Sequence, residues 1–290
     1  LVSAPAARGL SAKASVHSGG GLFNATRPLA VAEEQGIAFA GRVGVGPEDK
    51  APLAHLRALS VASILAGDPG PPNFGAVIDG KYIPDAIPAL YRRGETAHVP
   101  MLIGSTSNEA SIFQLMGFDQ ATLARRFGID FAALKGPYEA NGPLTDAEML
   151  RQVQTDFLFT SASMALTEMA ARHGIPAWSY HFDYVDTARR ASKPGADHCA
   201  DWPYLFDGAR TGSSPVQSPQ DHAVARMLQD YLYNFMTRGD PNGAGLPPWP
   251  RTNAGQITPL VIGTDTRAVP DFRKRQLTPW LEKAAREARP

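Results

Sequence analysis

Apolar and polar positions change their period several times along the chain, and each change marks an element. Lys13-Ala14-Ser15-Val16-His17-Ser18 is a short extended run that stops at Gly19-Gly20-Gly21, the pattern of a buried parallel strand and its exit loop. Residues 28–43 are alanine-rich, with Glu33 and Glu34 early, and read as a helix started by Thr26 and Pro28. A second helical stretch is predicted over 48–65, followed by a proline- and glycine-rich loop at 67–73. Asp79-Gly80, a strong turn dipeptide, predicts a small hairpin within 77–84.

The compact apolar run Val99-Pro100-Met101-Leu102-Ile103-Gly104 lies between turn signals and reads as a central strand. Thr106 or Ser107 is then placed to cap a helix running to 116. Residues 119–135 are helical but irregular. Residues 145–173 carry a long helical pattern, with Asp146 and Glu148 in its first turn and Gly174 beyond its end. Residues 177–184 alternate like a strand, 218–238 form an amphipathic helix closed by Gly239, 257–262 are a late strand and 274–289 a terminal helix. Strands separated by helices, with no repeat and no low-complexity linker, predict one α/β domain built on a mainly parallel sheet.

Composition narrows the function classes. With 290 residues and 43% apolar content the chain can bury a sizeable core. Lysines plus arginines (28) equal aspartates plus glutamates (28), so neither nucleic acid nor an acidic membrane is indicated as a partner. No apolar run is long enough to cross a bilayer. Cys199 is the single cysteine, which excludes an intrachain disulfide and a cysteine-built zinc site. The histidines at 17, 55, 98, 173, 181 and 222 show no metal-ligand spacing, and no metal is expected. Residues 1–10 lack an initiator methionine and a signal-peptide pattern, and read as the middle of a domain.

The most chemical stretch is Gly195-Ala196-Asp197-His198-Cys199-Ala200-Asp201-Trp202-Pro203-Tyr204-Leu205-Phe206. It sets a histidine on a glycine-led loop, a carboxylate three residues later and an aromatic anchor behind, the support a general base requires. In open α/β sheets ligands bind beyond the carboxyl ends of the strands, where Glu109 follows the run at 99–104. Two readings of Glu109 stand here: complementing a helix dipole, or orienting a histidine. Acid before histidine is the chain order of α/β-hydrolases after their nucleophilic serine. A Cys199–His198 dyad is a weaker candidate, because adjacent residues rarely turn their side chains toward one another. Trp202, Tyr204 and Phe206 line an acyl pocket or pack behind the loop, with packing expected for at least two.

Taken together these segments resemble the C-terminal portion of a type B carboxylesterase, the family that includes the cholinesterases and the bacterial para-nitrobenzyl-type esterases. Residues 99–109 resemble its strand and acid-bearing loop, and 195–206 its histidine loop. Asn234-Phe235-Met236-Thr237-Arg238-Gly239-Asp240-Pro241-Asn242 with Pro248-Trp249-Pro250 resembles its late signature. Residues 1–19 resemble the helix and strand that follow its nucleophile elbow. The resemblance implies an α/β-hydrolase fold, here incomplete, with residues 1–290 as the C-terminal portion of a single domain. It implies Glu109 as the acid and His198 as the base of an acyl-enzyme mechanism on a small-molecule carboxylic ester. It also implies supporting contacts from Ser18 and from Asp201, where many members have the longer glutamate, and no metal or organic cofactor. For Ser18 the plain reading, a serine ending a strand, stays open.

The chain departs from the family at the nucleophile. No Gly-x-Ser-x-Gly occurs: neither Gly104-Ser105-Thr106-Ser107-Asn108 nor Gly212-Ser213-Ser214 completes it. The serine and the oxyanion loop are therefore expected before Leu1, as a missing N-terminal part of the same domain, and the chain alone is expected to be inactive on esters. Two alternatives are a non-catalytic esterase-like interaction module and a truncated, inactive fragment.

Overall fold

The computed structural model describes residues 1–19, 21–23, 26–68, 75–115, 117–206 and 216–287. The strands are β1 Ala14–His17, β2 Arg27–Pro28, β3 Val77–Ile78, β4 Met101–Thr106, β5 Ala177–Phe182, β6 Leu260–Ile262 and β7 Arg267–Ala268. The α-helices are α1 Leu29–Arg42, α2 Pro52–Ala58, α3 Val61–Gly67, α4 Ile87–Arg93, α5 Gln120–Phe127, α6 Phe131–Tyr138, α7 Asp146–Thr155, α8 Ser161–Arg172, α9 Trp202–Leu205, α10 Pro219–Arg238 and α11 Lys274–Glu287. The main sheet has the order β1-β4-β5-β6-β7, with the first four strands parallel and β7 antiparallel at the far edge.

All six positions of β4 and of β5 are buried, as expected for central strands covered by helices on both faces. One face packs Met101, Ile103 and Ala177 against α7, α8, the turn between them and α11, including Phe157, Leu166, Leu277 and Trp280. The other packs Leu102, Trp178, Tyr180 and Phe182 against Leu228, Tyr231 and Phe235 of α10 and against Trp249. Each fully buried aromatic or branched side chain adds about 1.5–3 kcal/mol, so these layers hold the loops at the strand ends. Gly104 serves this packing directly: a Cβ there would stand 2.2 Å from the Tyr180 ring on the neighbouring strand.

Several expectations are revised. β1 is a half-buried end strand, not a buried one. The helix expected near the chain start is a single 3-10 turn, Pro5–Ala7. The stretch at 48–65 splits into α2 and α3, because Ser60 accepts the Ser63 amide and starts a new helix. At 77–84 there is a turn without a return strand among the described residues. Asp79 Oδ1 accepts the amides of Lys81, Tyr82 and Ile83, while β3 pairs in parallel with β2. The helix expected to 116 is a 3-10 segment, Glu109–Leu115. The irregular stretch at 119–135 breaks at Gly128, which has φ +65°, and Asp130 caps the next helix. The pattern at 145–173 is continuous but widens to a π-turn at Asp156–Thr160, where Arg273 grips the Asp156 carboxylate. Ser218 and Asp221 form a reciprocal capping box on α10, and Gly239 ends it at φ +77°, as expected. Most of the expected loop at 67–73 lies outside the described residues. Among those described, no helix is long and apolar enough to cross a membrane.

Candidate functional site

β4 delivers the carboxylate. Beyond its last residue, after Ser107 and Asn108, the chain turns into the 3-10 segment, and Glu109, its first residue, is fully buried. A buried carboxylate must be hydrogen-bonded. Glu109 Oε1 accepts from the Thr106 amide at 2.7 Å and from Ser18 Oγ at 2.6 Å, leaving Oε2 directed at His198.

β5 leads, through a long loop, to the histidine. Two contacts tie that loop to the one after β4: the Asn108 amide donates to the Ala196 carbonyl and the Ala196 amide to Ser107 Oγ, both at 2.8 Å. Gly195 permits this approach, since a Cβ there would lie 2.6 Å from Ser107 Oγ and 3.3 Å from the Ser107 backbone. Asn108 also donates to Asp197, which Lys193 pairs from the same loop. The His198 amide donates to Ser111 Oγ, and its ring rests against Phe159.

The result is a contact of 2.5 Å between His198 Nδ1 and Glu109 Oε2. The Glu109 hydrogen bond raises the His198 pKa above its ordinary value, against the opposing effect of burial, with the charges of Glu109 and Asp201 adding to the rise. A carboxylate at Nδ1 fixes the tautomer and leaves Nε2 as the nitrogen for proton transfer. The imidazole side chain is 22% exposed, enough to meet a reactant.

All four sequence-derived positions fall in this region. Glu109 and His198 touch, and Ser18 touches Glu109. Asp201, 2% exposed, instead receives the Tyr180 hydroxyl at 3.0 Å, with His17 Nδ1 at 2.7 Å from the same oxygen. In the sequence His17 lies within the extended run at 13–18 and has no metal-ligand spacing. Its link to Asp201 spans 184 positions, and no local pattern announces it.

Other candidates resolve against the sequence reading or drop out. Burial, then the charges of Asp201 and Glu109, push the Cys199 thiol up, which disfavours the thiolate a cysteine–histidine dyad needs. Of the three aromatics, only Tyr204 packs inside; Trp202 and Phe206 are exposed and meet edge to face. His181 is buried and held neutral, its pKa lowered to about 3 chiefly by desolvation. Among the described residues no group of three or more metal-ligating side chains gathers. Gly212-Ser213-Ser214 lies outside the described residues. Cavities of about 590 Å³ between α8 and α11 and about 660 Å³ beside α4 are lined by neither Glu109 nor His198, so neither identifies an ester pocket.

Comparison with known proteins bears on the family and the fold. The model of the Carboxylesterase family matches residues 129–280. Carboxylesterase 1D of Rattus norvegicus is 25% identical over 247 residues, covering 75% of this chain and 42% of the relative. Carboxylesterase 5A of Canis lupus familiaris is 24% identical over 276 residues, covering 86% of this chain and 48% of the relative. The chain thus spans about half the length of these curated relatives or less. Among solved structures, Aspergillus niger EstA aligns with a TM-score of 0.77 at 23% identity, over 99% of this chain and 62% of its own. The Geobacillus stearothermophilus carboxylesterase EST55 at pH 6.2 aligns with a TM-score of 0.79 at 23% identity, over 96% of this chain and 60% of its own. The fold is that of the α/β-hydrolases.

Proposed function

Since the chain belongs to the carboxylesterase family, we propose that Glu109 and His198 are the acid and the general base of serine-type carboxylic-ester hydrolysis. The 2.5 Å contact between Glu109 Oε2 and His198 Nδ1 carries this reading. In it, residues 1–290 are the C-terminal portion of a single α/β-hydrolase domain, and a segment before Leu1 contributes the nucleophilic serine and the oxyanion donors. His198 Nε2 takes the proton as that serine attacks the ester carbonyl, then passes it to the departing alcohol. Glu109 holds the imidazole and stabilises its cation without taking the proton. Water then attacks the acyl-enzyme, again with His198 as base. Ser18 supports the reaction by fixing Glu109 Oε1. Asp201 supports it through its charge, which favours the imidazolium.

The test joins an upstream segment bearing the nucleophile elbow to this chain and measures turnover of p-nitrophenyl butyrate. The joined protein turns the ester over, whereas the Glu109–His198 pair of the chain alone supports no multiple turnover. His198→Ala and Glu109→Ala in the joined protein lower kcat by roughly 10³-fold or more while leaving the fold intact. Near-normal turnover in both variants removes the assigned roles.

A further inference from the structure

A chain of hydrogen bonds runs from the π-turn at Asp156–Thr160 to the loop that carries His198, passing through the residues directly before Glu109. Arg273 grips Asp156 and shares its Nη2 with Gln152 Oε1 at 3.0 Å. Gln152 Nε2 donates to Glu148 Oε1 at 2.8 Å. Arg151 meets both oxygens of Glu148, through Nε at 2.8 Å and Nη2 at 2.7 Å. Its remaining arm, Nη1, reaches off α7 and donates to the Ser107 carbonyl at 3.2 Å and to Asn108 Oδ1 at 3.3 Å. Asn108 Nδ2 donates in turn to Asp197 Oδ1 at 2.8 Å, and Lys193 Nζ holds Asp197 Oδ2 at 2.6 Å. Every one of these bonds joins residues between 107 and 273, so none depends on the segment placed before Leu1.

The sense of the chain is fixed by chemistry. A guanidinium only donates and a carboxylate only accepts, so one orientation alone of the Asn108 amide serves Arg151 and Asp197 together. Asn108 is 3% exposed, and turning its amide over would set donor against donor and acceptor against acceptor with no water to compensate. The backbone agrees: Asn108 and Asp197 form a parallel β-bridge, with the Asn108 amide donating to the Ala196 carbonyl. Arg151 therefore holds the two residues that precede Glu109 and, through Asn108, the residue that precedes His198. A lysine ammonium is a single point of charge and cannot span Glu148, the Ser107 carbonyl and Asn108 at once. The Arg151 charge is already matched by Glu148, and the rise in the His198 pKa comes from Glu109 and Asp201. What Arg151 supplies is geometry.

We propose that Arg151 is a positioning residue, which sets the register of the two loops and thereby the approach of His198 Nδ1 to Glu109 Oε2. Its consequence for turnover rests on the reading of Glu109 and His198 as acid and base. Loss of the Nη1 bonds frees the Asn108 amide to turn, the bond to Asp197 goes with it, and the histidine loop drifts from the acid. A drift of about 1 Å in such a pair costs up to roughly 100-fold in rate.

The test uses the joined polypeptide, with two readouts: kcat and KM on p-nitrophenyl butyrate, and the low-field Nδ1 proton resonance of His198, which needs no turnover. Circular dichroism melting establishes that each variant is folded. Arg151→Met is expected to lower kcat by about tenfold or more with KM changed less than about twofold, and to weaken the resonance. Arg151→Lys, which keeps the charge, is expected to fall nearer to Arg151→Met than to the parent. Asn108→Asp keeps an acceptor for Arg151 but faces Asp197 with a second carboxylate, and is expected to lose as much. Adding Asp197→Asn to it returns a donor to that bond, now pointing the other way, and leaves an amide oxygen for Lys193. This double variant is expected to recover kcat to within about threefold of the parent and to regain the resonance. A merely structural role would lower the melting temperature and leave kcat of the folded protein and the resonance unmoved. That result in Arg151→Met, or no recovery in the double variant, overturns the proposal. Should Arg151→Met not fold, the loss in Asn108→Asp and its recovery decide alone. No ester turnover in the parent would remove the esterase reading, while the resonance still decides whether Arg151 sets the contact.

Discussion

Ser18 donates to Glu109 Oε1 at 2.6 Å from a backbone held at φ +54°, a left-handed conformation rare for a residue with a side chain. The strain costs on the order of 1–3 kcal/mol and persists because the Ser18 amide is bonded to the Gly104 carbonyl while its hydroxyl satisfies a fully buried carboxylate. Ser18→Ala keeps the strain and leaves that oxygen one donor short, so it is expected to lose about 1–3 kcal/mol in urea denaturation. Ser18→Gly loses the same bond but relieves the backbone, and should lose less than Ser18→Ala. The reverse order would show that the conformation is unstrained.

The His198 titration makes a signed prediction. Its folded pKa lies above the unfolded value, chiefly because of the Glu109 hydrogen bond. The resulting stabilisation is fully present below the unfolded pKa, about 6.5, and is lost as pH rises through the folded one. Urea denaturation should therefore show His198-linked stability falling from pH 6 toward alkaline pH. Glu109→Gln removes the charge and should lower the His198 pKa, read by histidine NMR, and flatten that part of the profile. An unchanged His198 pKa in Glu109→Gln would contradict the contact.

Gly195→Ala tests how the two loops meet. The added Cβ would collide with Ser107 Oγ and crowd its backbone, pushing the histidine loop away from the loop that carries Glu109. The expected cost is about 1–3 kcal/mol. The low-field Nδ1 proton resonance expected of His198 should weaken or vanish, a readout that a purely global loss of stability would not move in the folded fraction.

Asp221 predicts behaviour at the acid end. Burial raises its pKa, but hydrogen bonds from the Tyr184 hydroxyl and from Ser218, with a further one from the Thr187 amide, outweigh burial and leave it far below the usual range. Its contribution is present above the unfolded carboxylate pKa and fades as pH falls toward the folded one. Asp221→Ala should destabilise the protein by about 1–3 kcal/mol at pH 7 and by less at pH 3, measured by denaturant titration. An equal loss at both pH values would place the effect in packing alone.

The parallel sheet and its position in the chain were legible because burial on both faces writes a continuous apolar run, as in Met101-Leu102-Ile103, bounded by turn residues. Glu109 and His198, which the structure brings into contact, stand out in the sequence for a related reason: a strand end and a glycine-led loop lie where open α/β sheets bind ligands. The helix at 218–238 was visible from both of its ends, since caps are local chemistry. What failed was also local but balanced. At 48–65, at 119–135 and at Asp79-Gly80 two conformations compete closely, and a single cap or turn bond such as those of Ser60, Asp130 and Asp79 decides.

By itself the sequence determined the α/β class, the central strands and the two loops that carry Glu109 and His198, because burial, periodicity and turn chemistry act between near neighbours. Only the tertiary structure decided which groups touch. The 2.5 Å approach of His198 to Glu109 depends on Gly195 letting one loop close on another, and the cluster of Ser15, His17, Tyr180 and Asp201 depends on Gly104 admitting the Tyr180 ring across two paired strands. Hydrogen bonds act over about 3 Å, and residues 89 or 184 positions apart come within that range only once the sheet has fixed their strands side by side.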